Sequence, residues 1–186
     1  MINAYLIKIN KNKRLDLTCL DESILFHCQN NEISLLSYHH LIKILRNDFN
    51  INEVKIDFSS KPRLINSSYQ FNISHCKNYI LIGISDEELG VDIEEKSRVI
   101  SDNLIDRTLS IEEKRLVNNS IDFLRCWVKK EAYLKYLGTG INRRLNSVDS
   151  TKLNNAKLYE DENVIFCVYS HLLGDEVNVK EIYEED

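Results

Sequence analysis

The chain has 186 residues, of which 43% are hydrophobic, 28% are charged and 9% are aromatic. This length suits one ordinary domain or two small, closely packed ones, and the composition is that of a folded protein rather than a disordered chain. The formal net charge of −5 argues against a general binder of nucleic-acid backbones, although a local basic patch could still hold one small anionic ligand.

The cysteines and the N-terminal segment give two further expectations. The five cysteines are spread along the chain with no C-x-x-C spacing, so we expect reduced thiols rather than a zinc site or a redox pair. At the start, a short apolar stretch precedes the charged residues, the reverse of a secretory signal, and no run of about 18 apolar residues occurs. We therefore expect a cytoplasmic protein without a membrane partner.

Periodicity predicts strands and one helix in the first part of the chain. Residues 4–9 and 54–58 alternate as strands do, and residues 33–49 carry apolar side chains three and four apart, as in a helix. Residues 79–85 and 90–94 are rich in β-branched residues. Because only a short acidic segment separates these two runs, we predict that they form a hairpin.

The second part of the chain predicts two helices followed by strands. Residues 100–119 and 121–137 have helical periodicity, and Gly138 and Gly140 end the second helix. Residues 157–182 return to alternation. The order of elements predicts an α+β fold in two halves that meet near residues 86–90.

The first candidate site is the sequence GVDIE at residues 90–94. Asp92 and Glu94 stand two residues apart on a predicted strand, so both carboxylates project from the same face of the sheet. Like charges at that separation repel unless a cation or solvent relieves them, and hard oxygen donors suit Mg²⁺. The alternative is an exposed sheet edge with two solvated acids.

The second candidate site lies on the predicted helix 121–137. At about 100° per residue, one face of this helix is an apolar stripe, and Glu131 and Lys135 fall inside it. A carboxylate buried without compensation costs several kcal/mol, so Glu131 needs a partner. That partner is either Lys135, four residues on, or a metal ion, which would leave Lys130 and Lys135 for phosphate.

The third candidate site is the sequence FNISH at residues 71–75. A hydroxyl, an imidazole and backbone N–H groups meet at this strand end and could hold a phosphate, although a capped strand end is the simpler interpretation. Neighbouring residues on a strand point to opposite faces. Ser74 and His75 are therefore poorly placed to act as nucleophile and base, and a hydrolase triad is not expected.

Together, these segments resemble the 4'-phosphopantetheinyl transferase superfamily, specifically its Sfp-type members. That family's pattern is a K-P pair, F-N-x-S-H, G-[IV]-D-I-E, and W-x-x-K-E-[AS]-x-x-K followed by G-x-G. This chain shows, in the same order, Lys61-Pro62, FNISH, GVDIE, WVKKEAYLK and GTGI. The motif matches span residues 61–141; outside them only the length and the strand-helix pattern agree.

The resemblance implies a fold and a division of the chain. The expected architecture is α+β, with two similar subdomains at residues 1–87 and 88–186 that form a pseudo-dimer within one monomer. Each subdomain would be a small antiparallel sheet packed with a helix. Coenzyme A would bind in the cleft between them.

The resemblance also implies roles for individual residues. Asp92, Glu94 and Glu131 would hold Mg²⁺, or Mn²⁺ in its place, and Glu131, Lys135 and Asp92 would serve catalysis. Tyr38 stands where the family tends to have a basic residue, so His39, His40 or Lys43 could substitute at the 3'-phosphate. The residues expected to bind coenzyme A are Arg46, Lys61, Pro62, Ser74, His75, Lys130 and Lys135.

The implied reaction moves the 4'-phosphopantetheine group of coenzyme A to a serine of an acyl or peptidyl carrier protein and releases 3',5'-ADP. Mg²⁺ and the lysines would offset the charge on the pyrophosphate, and Glu131, or a water that it orients, would take the serine proton. Residues 107–116, Arg143 and Arg144 are expected to contribute to carrier docking. The alternatives are a catalytically silent relative that binds coenzyme A or a carrier, and another Mg²⁺-dependent phosphate-ester enzyme such as a hydrolase.

Overall fold

The computed structural model describes residues 1–12, 15–139, 145–171 and 177–183. Within these ranges the α-helices are α1 (Glu22–Cys28), α2 (Glu32–Phe49), α3 (Asp102–Thr108) and α4 (Ser120–Leu137). The strands are β1 (Ile2–Lys8), β2 (Ile56–Asp57), β3 (Arg63–Leu64), β4 (Gln70–His75), β5 (Tyr79–Ser85), β6 (Gly90–Glu95), β7 (Ala156–Glu160), β8 (Val164–Tyr169) and β9 (Val177–Tyr183).

The strands form two main sheets and a short ribbon. The first sheet has the order β4-β5-β1-β9 and is antiparallel except for the parallel pair of β1 and β9. The second sheet is antiparallel with the order β6-β8-β7, and β2 and β3 form the ribbon. Helices and largely antiparallel sheets in one chain confirm the predicted α+β class.

The two sheets and two long helices stack in four layers. In β5, Ile80 and Ile82 belong to the core under α2, whereas Leu81 belongs to the core between the two sheets. In β8, Phe166 joins that same central core, whereas Ile165 packs toward α4. The layers therefore run α2, first sheet, second sheet, α4. Because both faces of β5 and β8 are covered, their sequences are continuous apolar runs.

The helix and strand predictions from periodicity are largely confirmed. Residues 33–49 correspond to α2 and residues 121–137 to α4, which ends at Gly138 with φ 67°. Residues 4–9 correspond to β1, shifted by two residues at its start, but only Ile56–Asp57 of the segment 54–58 forms a strand. Gly140 lies outside the described residues. All five cysteine thiols are free, as expected.

The predicted hairpin of residues 79–85 and 90–94 is wrong. β5 is already paired on both edges, with β4 and β1, and β6 pairs instead with β8. A Cβ on Gly83 would lie 2.6 Å from Leu89 Cδ1 and 2.7 Å from Val91 Cγ1. The chain after β5 therefore crosses the face of the first sheet rather than turning back beside it.

The single helix predicted at residues 100–119 is also wrong. α3 ends at Thr108, and Leu109 has an extended backbone with φ −81° and ψ 136°. The Ser110 N–H then donates to Glu113 Oε2 at 2.7 Å, and the Glu113 N–H donates to Ser110 Oγ at 3.2 Å. This reciprocal pair has the S-x-x-E pattern of a capping box and closes the turn that leads into the short 3₁₀ helix Glu113–Arg115.

The end of the described chain returns to the first sheet. Residues of β9 pair in parallel with β1 over its whole length, from Ile2 with Val177 to Lys8 with Tyr183. The first sheet thus includes a strand from far beyond residue 88. The division into subdomains at residues 87 and 88 stays a prediction. Within the described ranges, no helix combines the length and apolar character needed to cross a bilayer.

Gly90 allows α4 to lie directly on β6. A Cβ at this position would be 2.0 Å from the Ala132 carbonyl oxygen and 2.4 Å from the Tyr136 backbone nitrogen. Both atoms belong to the helix backbone, which cannot move aside as a side chain can. Only glycine therefore permits this distance between strand and helix.

We predict that Gly90→Ala lowers the free energy of unfolding by about 3 kcal/mol or more, because overpacking against backbone cannot relax. Gly83→Ala is the matched comparison. Its Cβ would meet only side-chain atoms of Leu89 and Val91, so we expect a loss of about 1 kcal/mol. Denaturant unfolding measures both variants, and equal losses would contradict this account of Gly90.

Candidate active site

The candidate site lies where β4 and β6, the edge strands of the two sheets, meet. Asn72 Oδ1 accepts a hydrogen bond from the Val91 N–H at 2.8 Å, and Ser74 Oγ donates to Asp92 Oδ1 at 2.8 Å. Side chains thus join the two strands in place of a backbone ladder. The FNISH and GVDIE segments form one unit, and Asn72 is a member of it that the sequence analysis did not single out.

Two acidic residues of β6, Asp92 and Glu94, face α4. Asp92 lies opposite Cys167 and Glu94 opposite Ile165 in the β6–β8 register, and both β8 residues pack toward α4. Residues directly opposite each other in an antiparallel pair project from the same face. The expectation that Asp92 and Glu94 share a face is confirmed, and that face is the one on which Glu131 lies.

Two basic side chains pair with these carboxylates. Lys135 Nζ donates to Asp92 Oδ1 at 2.7 Å and to Ser74 Oγ at 2.7 Å. Arg98 donates to Glu94, and its guanidinium lies 4.6 Å from the centre of the Trp127 ring. Arg98 was not among the residues that sequence reasoning identified.

The carboxylates are close enough to influence one another. Burial raises the pKa of Glu94 to about 7, and the charge of Asp92 adds to this rise, although Arg98 and Lys135 oppose it. Burial and the charge of Asp92 also raise the pKa of Glu131, again against Lys135 and Arg98. Three acids and two bases therefore share one electrostatic environment.

The chemistry of this cluster fits a divalent cation. Asp92 Oδ2 is buried without a hydrogen-bond partner, and such a carboxylate oxygen is suited to a hard metal ion. Across the part of the chain that the structure describes, no three His, Cys, Asp or Glu side chains stand close enough together to hold a metal. In this structure Lys135 contacts the carboxylate of Asp92, and Arg98 contacts the carboxylate of Glu94. Asp92, Glu94 and Glu131 are the residues that would hold the ion.

Lys130 does not reach the site, which corrects the expectation that it binds the phosphates of coenzyme A. Its side chain has no exposed surface. Its Nζ donates to the Thr108 carbonyl and to Glu113 Oε2, each at 2.5 Å. One residue along a helix turns the side chain by about 100°, so Lys130 and Glu131 cannot face the same neighbour.

Glu113 is the partner of Lys130 and was missed by sequence reasoning, although the S-x-x-E spacing from Ser110 to Glu113 could have shown that the carboxylate is engaged. Its other oxygen, Oε1, accepts from the Ser150 N–H at 2.8 Å. Burial alone would raise the pKa of Glu113, but Lys130 and the bonds from Ser110 and Ser150 lower it below the usual 4.5. This stabilisation is present above pH 4.5 and is lost as the pH falls through the lower folded value.

Lys61 joins three parts of the chain near the site. Its Nζ donates to Glu88 Oε2 and to the Leu89 carbonyl, each at 2.8 Å, and to the Tyr136 carbonyl at 3.3 Å. Burial lowers the pKa of Lys61, and Glu88 opposes that shift. Lys61 thus fastens the segment before β3 to the end of α4, and Pro62 follows it directly.

The remaining predicted ligands lie on β4 and α2. His75 is exposed at the end of β4, where partial desolvation and the charge of Lys135 lower its pKa. Arg46 is exposed on α2, and its Nε donates to the Asn52 carbonyl at 3.3 Å. Tyr38 is buried with its ring edge-on to Phe58. Tyr38 therefore supports the core at the position where the family tends to have a basic residue.

Comparison with known proteins shows which family this chain is similar to. Residues 88–178 match the family model of the 4'-phosphopantetheinyl transferase superfamily, and this region contains all three carboxylates. This match agrees with the resemblance inferred from the motifs.

Individual relatives agree with this class. Over 152 residues the chain is 27% identical to a 4'-phosphopantetheinyl transferase of Bacillus subtilis, a match that covers 75% of this chain and 64% of the relative. Over 110 residues it is 31% identical to a 4'-phosphopantetheinyl transferase of Bacillus pumilus, covering 56% of this chain and 44% of the relative. The chain thus spans less than two thirds of the length of these relatives.

We predict that Glu113→Gln lowers the free energy of unfolding by about 3–5 kcal/mol, because it leaves the Lys130 ammonium buried and unpaired. Adding Lys130→Met should recover more than half of the loss, since the uncompensated charge is then gone. Glu112→Gln, at the exposed neighbouring acid, should change stability by less than about 0.5 kcal/mol. Denaturant unfolding near pH 7 checks all three, and a failure of Lys130→Met to rescue would contradict the buried pair.

We predict that Asn72→Ala lowers the free energy of unfolding by about 1–3 kcal/mol, because the buried Val91 N–H loses its acceptor. Asn103→Ala, at an exposed asparagine of α3, is the control and should have an effect below about 0.5 kcal/mol. Thermal and denaturant unfolding compare the two variants. Equal stability of both would show that the side-chain bond between β4 and β6 is dispensable.

Proposed function

We propose that this chain transfers the 4'-phosphopantetheine group of coenzyme A to a serine of an acyl or peptidyl carrier protein, as a Mg²⁺-dependent monomer, giving the holo-carrier and 3',5'-ADP. The observation that carries the proposal is the cluster of Asp92, Glu94, Glu131 and Lys135, which lies within the region that matches the superfamily. The Ser74 hydroxyl, from outside that region, bonds to Asp92. The two relatives from Bacillus are both named as 4'-phosphopantetheinyl transferases.

Asp92, Glu94 and Glu131 would hold the Mg²⁺, or Mn²⁺, and the ion would supply Lewis-acid stabilisation of the pyrophosphate. The orphaned Asp92 Oδ2 supports this assignment, because a buried carboxylate oxygen without a partner is costly unless a ligand satisfies it. The raised pKa values of Glu94 and Glu131 support it as well. Burial and then the charge of Asp92 raise these pKa values, and a nearby cation would offset both effects by favouring the ionised carboxylates.

Lys135 would bind the phosphates of coenzyme A. Its side chain is 29% exposed, so the ammonium can reach a ligand while remaining beside Asp92. The Ser74 hydroxyl and the His75 ring lie at the same strand end and would add hydrogen bonds to the phosphates. Lys130 has no part in this step, because its charge is enclosed with Glu113.

Glu131 is the proposed acceptor of the carrier serine proton, directly or through a water that it orients. A carboxylate that holds a metal is a weak base, but the partial burial that raises the pKa of Glu131 opposes this loss of basicity. The proton leaves the serine Oγ as that oxygen attacks the β-phosphorus. The bond from this phosphorus to the bridging oxygen breaks, and 3',5'-ADP leaves.

The surface around α3 is the proposed docking site for the carrier. It exposes three large apolar side chains, Val99, Ile111 and Leu116, which are 91%, 71% and 60% exposed. Arg107 and Arg115 are exposed in the same segment. Such a mixture suits an acidic carrier with an apolar patch. Arg143 and Arg144, also expected to contribute, lie outside the described residues.

We predict that Glu131→Gln abolishes transfer and leaves the fold intact. Burial and Asp92 raise the folded pKa of Glu131 above 4.5, so its ionised form destabilises the protein at neutral pH. The variant should therefore melt at the same temperature as the wild type or higher. Mass spectrometry of an apo-carrier protein incubated with coenzyme A and Mg²⁺ measures transfer.

Glu22→Gln, at an exposed acid in the first turn of α1, is the control and should retain full turnover. Turnover by Glu131→Gln would contradict the role given to this residue. If the wild type releases phosphate from coenzyme A and gives no adduct on any carrier, the chain is a hydrolase rather than a transferase.

A further inference from the structure

We propose that Arg98 competes with the metal ion for Glu94, so that the protein must displace its own cation before the metal site is complete. This inference rests on the proposed metal role of Asp92, Glu94 and Glu131. It assigns a function to Arg98, which lies outside the motifs found in the sequence. The structure supports it through the contacts of Arg98, the charge of the cluster and the pairing of the carboxylates with Lys135 and Arg98.

Arg98 is held in place to occupy Glu94. Its guanidinium donates to Glu94 Oε1, four residues earlier in the chain, and lies 4.6 Å from the centre of the Trp127 ring. The backbone N–H of Arg98 also donates to the Glu95 carbonyl at 3.0 Å, which fixes the turn after β6. The Arg98 side chain is only 30% exposed and that of Glu94 only 16%. This ion pair is therefore less screened by water than an ordinary surface pair.

The charges show why the metal and Arg98 compete. The ionised cluster contains three carboxylates and two cations, so its net charge is −1. Lys135 already pairs with Asp92, and Arg98 already pairs with Glu94. A divalent ion would raise this to +1 if both cations stayed in contact with the same oxygens. Like charges this close in a partly dry site repel strongly. Metal entry therefore favours release of Arg98 from Glu94.

The pairing of the acids agrees with this competition. Glu94 and Glu131 both respond to the charge of Asp92, so the three carboxylates influence one another. Lys135 and Arg98 satisfy two of the three carboxylates separately. Once Arg98 releases Glu94, its positive charge remains beside the site, where an anionic phosphate group would attract it.

Mn²⁺ binding to the free protein tests the proposal without any turnover. Electron paramagnetic resonance or calorimetric titration should show that Arg98→Gln binds Mn²⁺ about 5-fold more tightly than the wild type. Arg98→Lys keeps the charge but loses the planar fork, so we expect a smaller gain. Trp127 fluorescence and circular dichroism verify that both variants fold.

Lys96→Gln is the matched control for charge. Lys96 lies two residues before Arg98, but its Nζ contacts the Asp161 carbonyl and Glu160 rather than the cluster. Removing it takes away the same charge from the same segment and should change the Mn²⁺ affinity by less than about 2-fold. Equal effects of Lys96→Gln and Arg98→Gln would reduce the result to general electrostatics and overturn the proposal.

Asp92→Asn separates this inference from the proposed function. If the wild type binds Mn²⁺ and Asp92→Asn does not, the metal site stands, and an unchanged affinity in Arg98→Gln then overturns only the competition. If neither the wild type nor Arg98→Gln binds Mn²⁺, both the metal site and the competition are wrong. If Arg98→Gln binds Mn²⁺ more tightly than the wild type, and adding Asp92→Asn abolishes this binding, both the metal site and the competition are supported.

Discussion

The site depends on the fact that Gly90 has no Cβ. Because no Cβ stands between β6 and the Ala132 carbonyl, the backbone of α4 lies against the strand and brings the next helical turn over its acidic residues. The same contact fixes the height of Glu131 and Lys135 above Asp92. A larger residue would push helix and strand apart, and the charged groups of both would separate with them. The geometry of the proposed site and the core packing are thus set by one steric constraint.

The two sheets meet through side chains, and these side chains are also the residues of the proposed site. Asn72 and Ser74 hold β4 to β6, Lys135 bonds to both strands, and Lys61 secures the end of α4. Burying these polar groups without partners would be costly. Here each of them forms a hydrogen bond with another polar group of the joint, which offsets that cost. The proposed active site is therefore also the joint between the two layers, so its residues support both chemistry and assembly.

The sequence predicted the local features of this structure and missed the long-range ones. Periodicity located α2 and α4, and the i,i+2 spacing placed Asp92 and Glu94 on one face, because both signals lie within a single element. β6 pairs with β8, which lies about 70 to 80 residues later in the chain, and no local pattern in the sequence predicts this pairing. The burial of Lys130 depends on what packs beside the helix, which a helical projection does not show. Among the residues that the sequence analysis missed, only Glu113 belongs to a recognisable local pattern, the S-x-x-E spacing from Ser110.

The parallel pairing of β1 and β9 has a consequence for how this chain folds. Ile2 and Val177 are neighbours in the first sheet although 175 positions separate them, so this edge of the sheet has a very high contact order. During synthesis the backbone groups along one side of β1 stay unpaired until β9 leaves the ribosome. An unpaired strand edge can form backbone hydrogen bonds with other nascent chains, which promotes aggregation. β9 is thus the strand that pairs with this edge, and folding of the first sheet finishes only after β9 has been synthesised.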